Sequence, residues 1–324
     1  MKTAIFGFLI AAALPLAAAP PIRVMILDGE QAGAYHAWQE TTPYLKRMLM
    51  DAGIFQVDVV TAPPRGGDFS AFKPDWSKYQ VVVSNYDAPD DRWSDELKAS
   101  FEQYIRNGGG LVSYHAADNA FPNWKEYNLM IGVGGWRGRN QNSGPHFYYQ
   151  DGKVVSEVSP GGAGQHGQRL PFKIVDRVTD HPITAGLPKE WMHVGDELYA
   201  NLKGPGENMT ILATAWSDPS NRGTGKDEPT LMVLPYGKGR IFHTTLGHDL
   251  AALNCVGFMA TFQRGTEWAA TGKVTQKVPA DFPTADKVST RAEYNPPEGW
   301  VSPGGGGGRR GPAPPGKGPA PPDR

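Results

Sequence analysis

Imidazole and carboxylate side chains stand where apolar segments of this sequence stop. The segment GLVSYHAADNAF, residues 110–121, opens as an apolar strand and then presents His115 and Asp118. Asp28 ends the segment IRVMILD, and Asp87 ends YQVVVSNYD. Because imidazoles exchange protons near neutral pH and carboxylates bind cations or act as bases, these positions are candidates for acid–base chemistry or metal binding. The structural alternative for His115 is a hydrogen-bonded histidine packed within the core.

Three further groups stand in similar surroundings later in the chain. His146 lies in a glycine-rich segment, His248 follows an apolar run in RIFHTTLGHD, and Glu197 belongs to GDELYA, which has aromatic neighbours. A carboxyl group buried among aromatic rings has a raised pKa and can act as an acid or base. The alternative for GDELYA is a helix cap or a surface turn. We predict that His115, His146, His248 and Glu197 meet over one rim of the fold as the catalytic group.

A divalent metal would need a site that the fold assembles, because the eight histidines show no HxH or HExxH spacing. The candidate ligands are His115, His146 and His248, and the sequence does not specify a metal. Nucleophilic catalysis is disfavoured. The single cysteine, Cys255, falls inside a helical pattern rather than at a strand-to-helix elbow, and the GxSxG motif is absent.

The order of predicted elements indicates an α/β fold that can position these groups. Apolar strands alternate with two helical segments over residues 22–114, two strands flank the turn YGKGR, and a helix closes the pattern near residue 272. In the first helix, Thr42 is the predicted N-cap and Pro43 the first helical residue. This alternation predicts a mostly parallel sheet with helices on both faces, and ligands bind beyond the carboxyl ends of the strands in such sheets.

Composition and charge exclude several classes of function. The 324 residues are 40% hydrophobic and 20% charged, which is typical of a globular protein. A formal net charge of −1 supplies no basic surface, so we expect no nucleic-acid partner. One cysteine allows no internal disulfide. Residues 1–19 have the pattern of a signal peptide, and no later stretch approaches the roughly 20 apolar residues of a transmembrane helix. We therefore expect an exported protein, periplasmic or secreted.

One domain is predicted over residues 20–275, with no internal repeat and no second-domain boundary. Residues 276–324 are expected to form an extended segment followed by a disordered tail, because the last 24 residues consist largely of glycine and proline.

Five segments in this order resemble the ThuA-like (trehalose utilisation) domain family. They are ETTPYLKRMLMDAGIFQVDVV, FEQYIRNGGGLVSYHAA, DHPITAGLP, GDELYANL and PYGKGRIFHTTLGHD, and the resemblance spans about residues 22 to 275. It implies a flavodoxin-like, doubly wound fold similar to class I glutamine amidotransferases but without their cysteine. It also implies a link to carbohydrate metabolism, where such proteins accompany the oxidation of sugars to 3-keto derivatives.

A ketone at C3 of a sugar acidifies the C2 hydrogen, so a positioned base can remove it and the enolate can expel the oxygen at C1. General-base help of this kind contributes roughly 10²- to 10⁴-fold. Trp136 and Tyr199 are candidates for stacking on the sugar face, and Asp28, Asp87 and Asp118 for binding its hydroxyls. The rival interpretation is a carbohydrate-binding or accessory protein without chemistry. The sequence specifies neither the substrate nor the oligomeric state.

Overall fold

The computed structural model describes residues 19–303. The predicted leader, except for its last residue, and the glycine- and proline-rich tail beyond residue 303 lie outside this range. Five α-helices form within it: α1 (Trp38–Asp51), α2 (Asp95–Arg106), α3 (Lys125–Ile131), α4 (Leu250–Leu253) and α5 (Val256–Thr271). In the described part of the chain, no helix is long and apolar enough to cross a membrane.

Eleven strands belong to one sheet: β1 (Ile22–Asp28), β2 (Phe55–Thr61), β3 (Val81–Ser84), β4 (Gly110–Tyr114), β5 (His146–Gln150), β6 (Lys153–Glu157), β7 (Leu170–Asp176), β8 (Glu190–Asp196), β9 (Thr210–Trp216), β10 (Asp227–Tyr236) and β11 (Gly239–Thr244). The main path of the sheet runs β2-β1-β3-β4-β11-β10-β9-β7-β8, and the β5–β6 hairpin attaches to β10.

The sheet is mixed rather than mostly parallel. Strands β2, β1, β3, β4 and β11 are mutually parallel, whereas β10, β9, β7 and β8 pair antiparallel. The α/β prediction is confirmed, but the expectation of a mostly parallel sheet fails in the second half. There the chain connects strands by turns, as at Gly237, where a positive φ of 59° allows β10 to reverse into β11. These strands lie largely in the glycine-rich region that the sequence pattern left without elements.

Helices cover both faces of the parallel half. On one face, α1 and α5 pack through residues such as Leu45 and Phe258 against Val24 and Val112. On the other face, α2 and α3 contribute Phe101 and Met130. Strands β1, β3 and β4 are buried almost throughout. This two-sided burial explains why they read as continuous apolar runs in the sequence.

Helix α1 begins at Trp38, four residues before the predicted N-cap. The carbonyl of Ala37 accepts the first helical hydrogen bonds, and Pro43 lies inside the helix. Thr42 does not cap. Its hydroxyl, together with that of Thr41, accepts a hydrogen bond from the Asn85 amide, at 3.0 and 2.9 Å. The threonines therefore tie the helix to the end of β3.

Residues 273–303 return across α1 as an extended segment. The Trp300 indole donates to Glu40 at 2.8 Å, and the Tyr294 hydroxyl donates to Asp51 at 2.6 Å. Arg47 donates to the Glu293 carbonyl at 2.8 Å. The segment that follows the last helix thus packs on the folded body.

Candidate active site

Four side chains from distant parts of the sequence meet at the ends of strands. His36 lies in the loop between β1 and α1, His115 directly follows β4, Glu197 directly follows β8, and His248 lies between β11 and α4. One nitrogen or oxygen from each lies within 4.8 Å of the others. Three imidazoles and a carboxylate thus converge on a single point, the arrangement that both metal binding and acid–base chemistry require.

His115 presents a free nitrogen to this point. Its Nδ1 lies 2.7 Å from the Thr245 carbonyl oxygen, which can only accept, so Nδ1 carries the proton. Nε2 is then an acceptor, and it is buried without a hydrogen-bond partner among residues 19–303. Burial, with the nearby His36 and His248 imidazoles, lowers the pKa of His115 to about 3. The ring is therefore neutral, the form in which histidine binds metals.

Glu197 supplies the negative charge of the cluster. Its Oε2 lies 3.1 Å from His248 Nδ1 and 3.9 Å from His36 Nε2. Burial alone would raise the pKa of Glu197, but the nearby His248 and His36 imidazoles hold that pKa well below its ordinary value. Burial opposes the charged form of His248 as well, yet the glutamate raises the His248 pKa. The carboxylate is ionised and oriented toward the histidines.

Two of the four residues adopt a left-handed backbone. The φ angle is 57° at His36 and 42° at His115. This region is sparsely populated by residues other than glycine and costs on the order of 1–3 kcal/mol for each residue, and such residues cluster at functional sites. At His115 the chain leaves β4 for a short 3₁₀ turn, and the left-handed φ accompanies this change of direction.

A cavity of about 400 Å³ opens beside the cluster. The Tyr199 ring stacks on His115 at 4.3 Å between centroids, and its hydroxyl lies 3.0 Å from His36 Nε2. Trp136 lies 4.6 Å from Tyr199 and continues the aromatic wall. The residues that line the cavity are Ala32, Tyr35, His36, Asp87, Asn119, Trp136, Arg137, His166, Glu197 and Tyr199.

The four side chains fit a first-row divalent cation such as zinc. Zinc binds histidine nitrogen and carboxylate oxygen at about 2.0–2.2 Å, so ligands of one ion lie at most roughly 4.4 Å apart, close to the 4.8 Å limit found here. The unpartnered Nε2 of His115 points to the same conclusion, because a buried acceptor without a partner is costly. A cation would satisfy that atom and balance the Glu197 charge.

Comparison with known proteins decides the family. The sequence model of the ThuA family, described as trehalose utilisation, matches residues 23–269. The chain belongs to the ThuA family. A crystal structure of a ThuA-like protein from Parabacteroides merdae is 46% identical, covers 85% of this chain and 99% of its own, and has a TM-score of 0.81. A ThuA-like protein from Bacteroides uniformis is 20% identical, covers 81% and 97%, and has a TM-score of 0.53, which shows the shared fold alone. No curated protein matches the chain.

This ThuA protein brings together three of the four predicted catalytic residues, His115, Glu197 and His248. His146 lies elsewhere, which corrects the prediction that all four converge. It begins β5, is buried, and its Nε2 lies 2.8 Å from Oε2 of the buried Glu228. Because the strand carries His146 into this contact with Glu228, the side chain is occupied within the antiparallel half of the sheet. The candidate ligand set loses His146 and gains His36.

The predicted carbohydrate-binding residues divide in the same way. Asp87, Trp136 and Tyr199 line the cavity, and Asp87 accepts a hydrogen bond from Arg137 Nε at 2.6 Å. Asp28 and Asp118 do not line it. Asp118 is buried 3.4 Å from His243 Nε2, and burial raises its pKa. Asp28 is buried beside threonine hydroxyls, and burial raises its pKa too. Asp28 ends β1 and Asp118 lies just beyond β4, but both side chains point into the protein.

His36 and His166 also belong to the site, although the sequence did not mark them as candidates. His36 lies eight residues beyond the end of β1, in a loop with no periodic pattern, and only the rule that ligands bind beyond strand ends could have flagged it. His166 lies in the glycine-rich segment SPGGAGQHGQ, with its Nε2 3.6 Å from Glu197 Oε1. It is the most exposed imidazole around Glu197, with 34% of its side chain accessible.

Cys255 also differs from expectation. It is the N-cap residue of α5 rather than a residue inside the helix, and it neighbours His193, which lies 2.8 Å from Asp196. The three side chains have the order of a nucleophilic triad, but all are buried with at most 1% exposure. A substrate cannot reach the thiol in this conformation.

Proposed function

We propose that this ThuA-family protein is an exported, metal-dependent enzyme that cleaves 3-keto glycosides by removing the proton next to the ketone. The observation that carries the proposal is the convergence of His36, His115, Glu197 and His248 beside a cavity of about 400 Å³. The family description, trehalose utilisation, supports a carbohydrate substrate. Export rests on the predicted leader.

The reaction balances as an elimination. A base takes the C2 proton, the C–H electrons form the enolate of the C3 ketone, and the enolate expels the oxygen at C1, which leaves as the alcohol after taking up a proton. A bound divalent cation would act as a Lewis acid that stabilises the negative oxygen. His36, His115, Glu197 and His248 would hold it. An unsaturated ketone and an alcohol are the products.

His166 is the candidate for the proton transfer. It lines the cavity, it is partly exposed, and its Nε2 lies 3.6 Å from the Glu197 carboxylate. The four clustered side chains are the candidate metal ligands, whereas His166 lies outside that set and is the most exposed of the imidazoles around Glu197, so it can reach a substrate in the cavity. Trp136 and Tyr199 offer aromatic surface for the apolar face of a sugar ring. Asp87 and Arg137 offer a carboxylate and a guanidinium for its hydroxyls.

The alternative is a carbohydrate-binding protein without catalysis. In such a protein we expect hydroxyl-binding groups spread along a groove. Here His248 Nδ1 and Glu197 Oε2 lie 3.1 Å apart, and two more imidazoles share the same point. This concentration of titratable groups favours the enzyme.

The test is turnover of a 3-keto disaccharide by the purified protein, followed as release of a free sugar. We expect cleavage of the oxidised sugar, no cleavage of the unoxidised one, and loss of activity with a chelator. His115→Ala should abolish turnover. His181→Ala removes an imidazole from the 181–185 turn, where its Nδ1 accepts from the Ile183 amide, and should leave activity unchanged. Sugar binding without cleavage in the presence of Zn²⁺ and Mn²⁺ would support the binding protein instead.

A further inference from the structure

Asp196, the last residue of β8, connects two segments that carry site residues. Its Oδ1 accepts hydrogen bonds from the backbone amides of Glu197 at 2.8 Å and His248 at 3.0 Å. Its Oδ2 accepts from the Gly247 amide at 2.7 Å. The same oxygen lies 2.8 Å from His193 Nε2. The side chain is 1% exposed, and these four groups are its hydrogen-bond partners within residues 19–303.

We propose that Asp196 is a positioning residue that fixes the separation between Glu197 and His248 in the metal site. Glu197 and His248 are 51 residues apart in the sequence, and no strand pairing joins their segments. One carboxylate bonds the backbone of both. The inference rests on the proposed function, because it assigns this contact a role in holding the cation.

The chemistry of the side chain explains why aspartate is required. All three backbone partners are N–H donors, and an ionised carboxylate has two oxygens that only accept. Asparagine offers one oxygen and an NH₂ group that would face an N–H. At least one of the two sets of contacts, to Gly247 and His193 or to Glu197 and His248, would therefore be lost. A buried N–H without a partner costs about 1–3 kcal/mol.

His193 holds the carboxylate from the other side. The imidazole is fully buried, with Phe172 at 5.3 Å and Trp191 at 6.2 Å between ring centroids. Its Nε2 meets Oδ2 of Asp196 while the backbone amides occupy the remaining directions. Ligand-supporting contacts of this kind typically change metal affinity or activity by 10- to 100-fold when they are removed.

The experiment compares Asp196→Asn with Asp176→Asn. Asp176 is a matched control because it is a buried aspartate at the opposite end of the same β7–β8 hairpin. Three quantities are measured on the full chain: the Kd of Co²⁺, the visible spectrum of bound Co²⁺, and amide hydrogen exchange of residues 197, 247 and 248 without metal. For Asp196→Asn we expect a Kd roughly 10- to 100-fold weaker, a changed spectrum and faster exchange at those amides. Asp176→Asn should change none of them.

The outcomes separate the two proposals. If the wild-type chain does not bind Co²⁺, the proposed metal site fails, while the exchange measurement still tests whether Asp196 holds the two segments. If the wild type binds and Asp196→Asn binds with the same Kd and spectrum, the positioning role is wrong. Should Asp196→Asn not fold, His193→Leu takes its place, since it leaves the three amide bonds and removes the imidazole. A Kd weaker by on the order of tenfold supports the proposal, and an unchanged Kd overturns it.

Discussion

Removal of the cation should lower the stability of the wild-type protein, and His115→Ala should cancel that effect. A ligand that binds only the folded state stabilises by about 2.7 kcal/mol when its free concentration is 100 times its Kd. For a domain of this size, 1 kcal/mol corresponds to roughly 2–4 °C in Tm. We therefore expect Zn²⁺ at that concentration to raise Tm by about 5–10 °C above the chelator-treated protein.

His115→Ala should reduce this Zn²⁺-induced rise in Tm because His115 is a buried candidate ligand. Its Nε2 is a buried acceptor without a partner in the described chain, and its side chain is 1% exposed, so neither another side chain nor bulk water can readily replace it. If losing one of four ligands weakens binding by about 100-fold, the same Zn²⁺ concentration only equals Kd. The stabilisation then falls to about 0.4 kcal/mol, or roughly 1–2 °C.

The assay is a thermal melt of both proteins with excess chelator and with buffered Zn²⁺. His115→Ala also loses the bond to the Thr245 carbonyl and the stacking on Tyr199, so its Tm is lower in both conditions. The difference between the two shifts cancels this packing loss. Equal shifts in the two proteins, or no shift in the wild type with Zn²⁺, Mn²⁺ or Co²⁺, would refute the reasoning.

Three further predictions concern other parts of the molecule. His146→Ala should lower the free energy of unfolding by about 1–3 kcal/mol, because the buried Glu228 loses one partner and keeps only the Asn201 amide and the Thr224 hydroxyl, while metal content measured by mass spectrometry stays at the wild-type level. In Gly257→Ala the new Cβ would lie 2.4 Å from the Trp191 ring of β8, so we expect a loss of about 1–3 kcal/mol in a urea titration and weaker Co²⁺ binding. An unchanged Kd for Co²⁺ would show that the packing of α5 on β8 does not affect the metal site. Burial raises the pKa of Asp176 from 3.8 to about 7, so folding takes up a proton between these values and stability falls as pH rises from about 4 to 7. Urea unfolding at pH 5 and pH 8 covers about two units of this range, so Asp176→Asn should remove about 3 kcal/mol of the fall between those two pH values. An identical pH dependence in the variant would contradict the assignment.

The sequence predicted the parts of the site that follow buried strands. His115 and His248 come after apolar runs, so local patterns were enough to mark them. Glu197 was marked by its aromatic neighbours instead, because the strand that precedes it, β8, was not predicted. His36 follows the same logic at a distance, but its loop has no pattern that distinguishes a ligand from a turn residue. His146 has the opposite problem. Its side chain is held by a contact with Glu228, which lies 82 residues away, and such a partner cannot be inferred from local spacing.

Glu197 shows why the architecture had to be seen before the site could be assigned. It follows β8, which is the last strand on the main path of the sheet, with β10, β9 and β7 between it and β11. An ordinary flat sheet would keep Glu197 far from His248. Here β8 packs against α4 and α5. The Trp191 ring lies directly over Gly257 of α5, and any side chain at position 257 would collide with that ring. The antiparallel half therefore folds back over the helix layer and delivers a carboxylate to imidazoles that the parallel half provides. A mostly parallel sheet, as the sequence pattern suggested, would present the histidines without their acidic partner, so the mixed topology is itself a condition for the proposed chemistry.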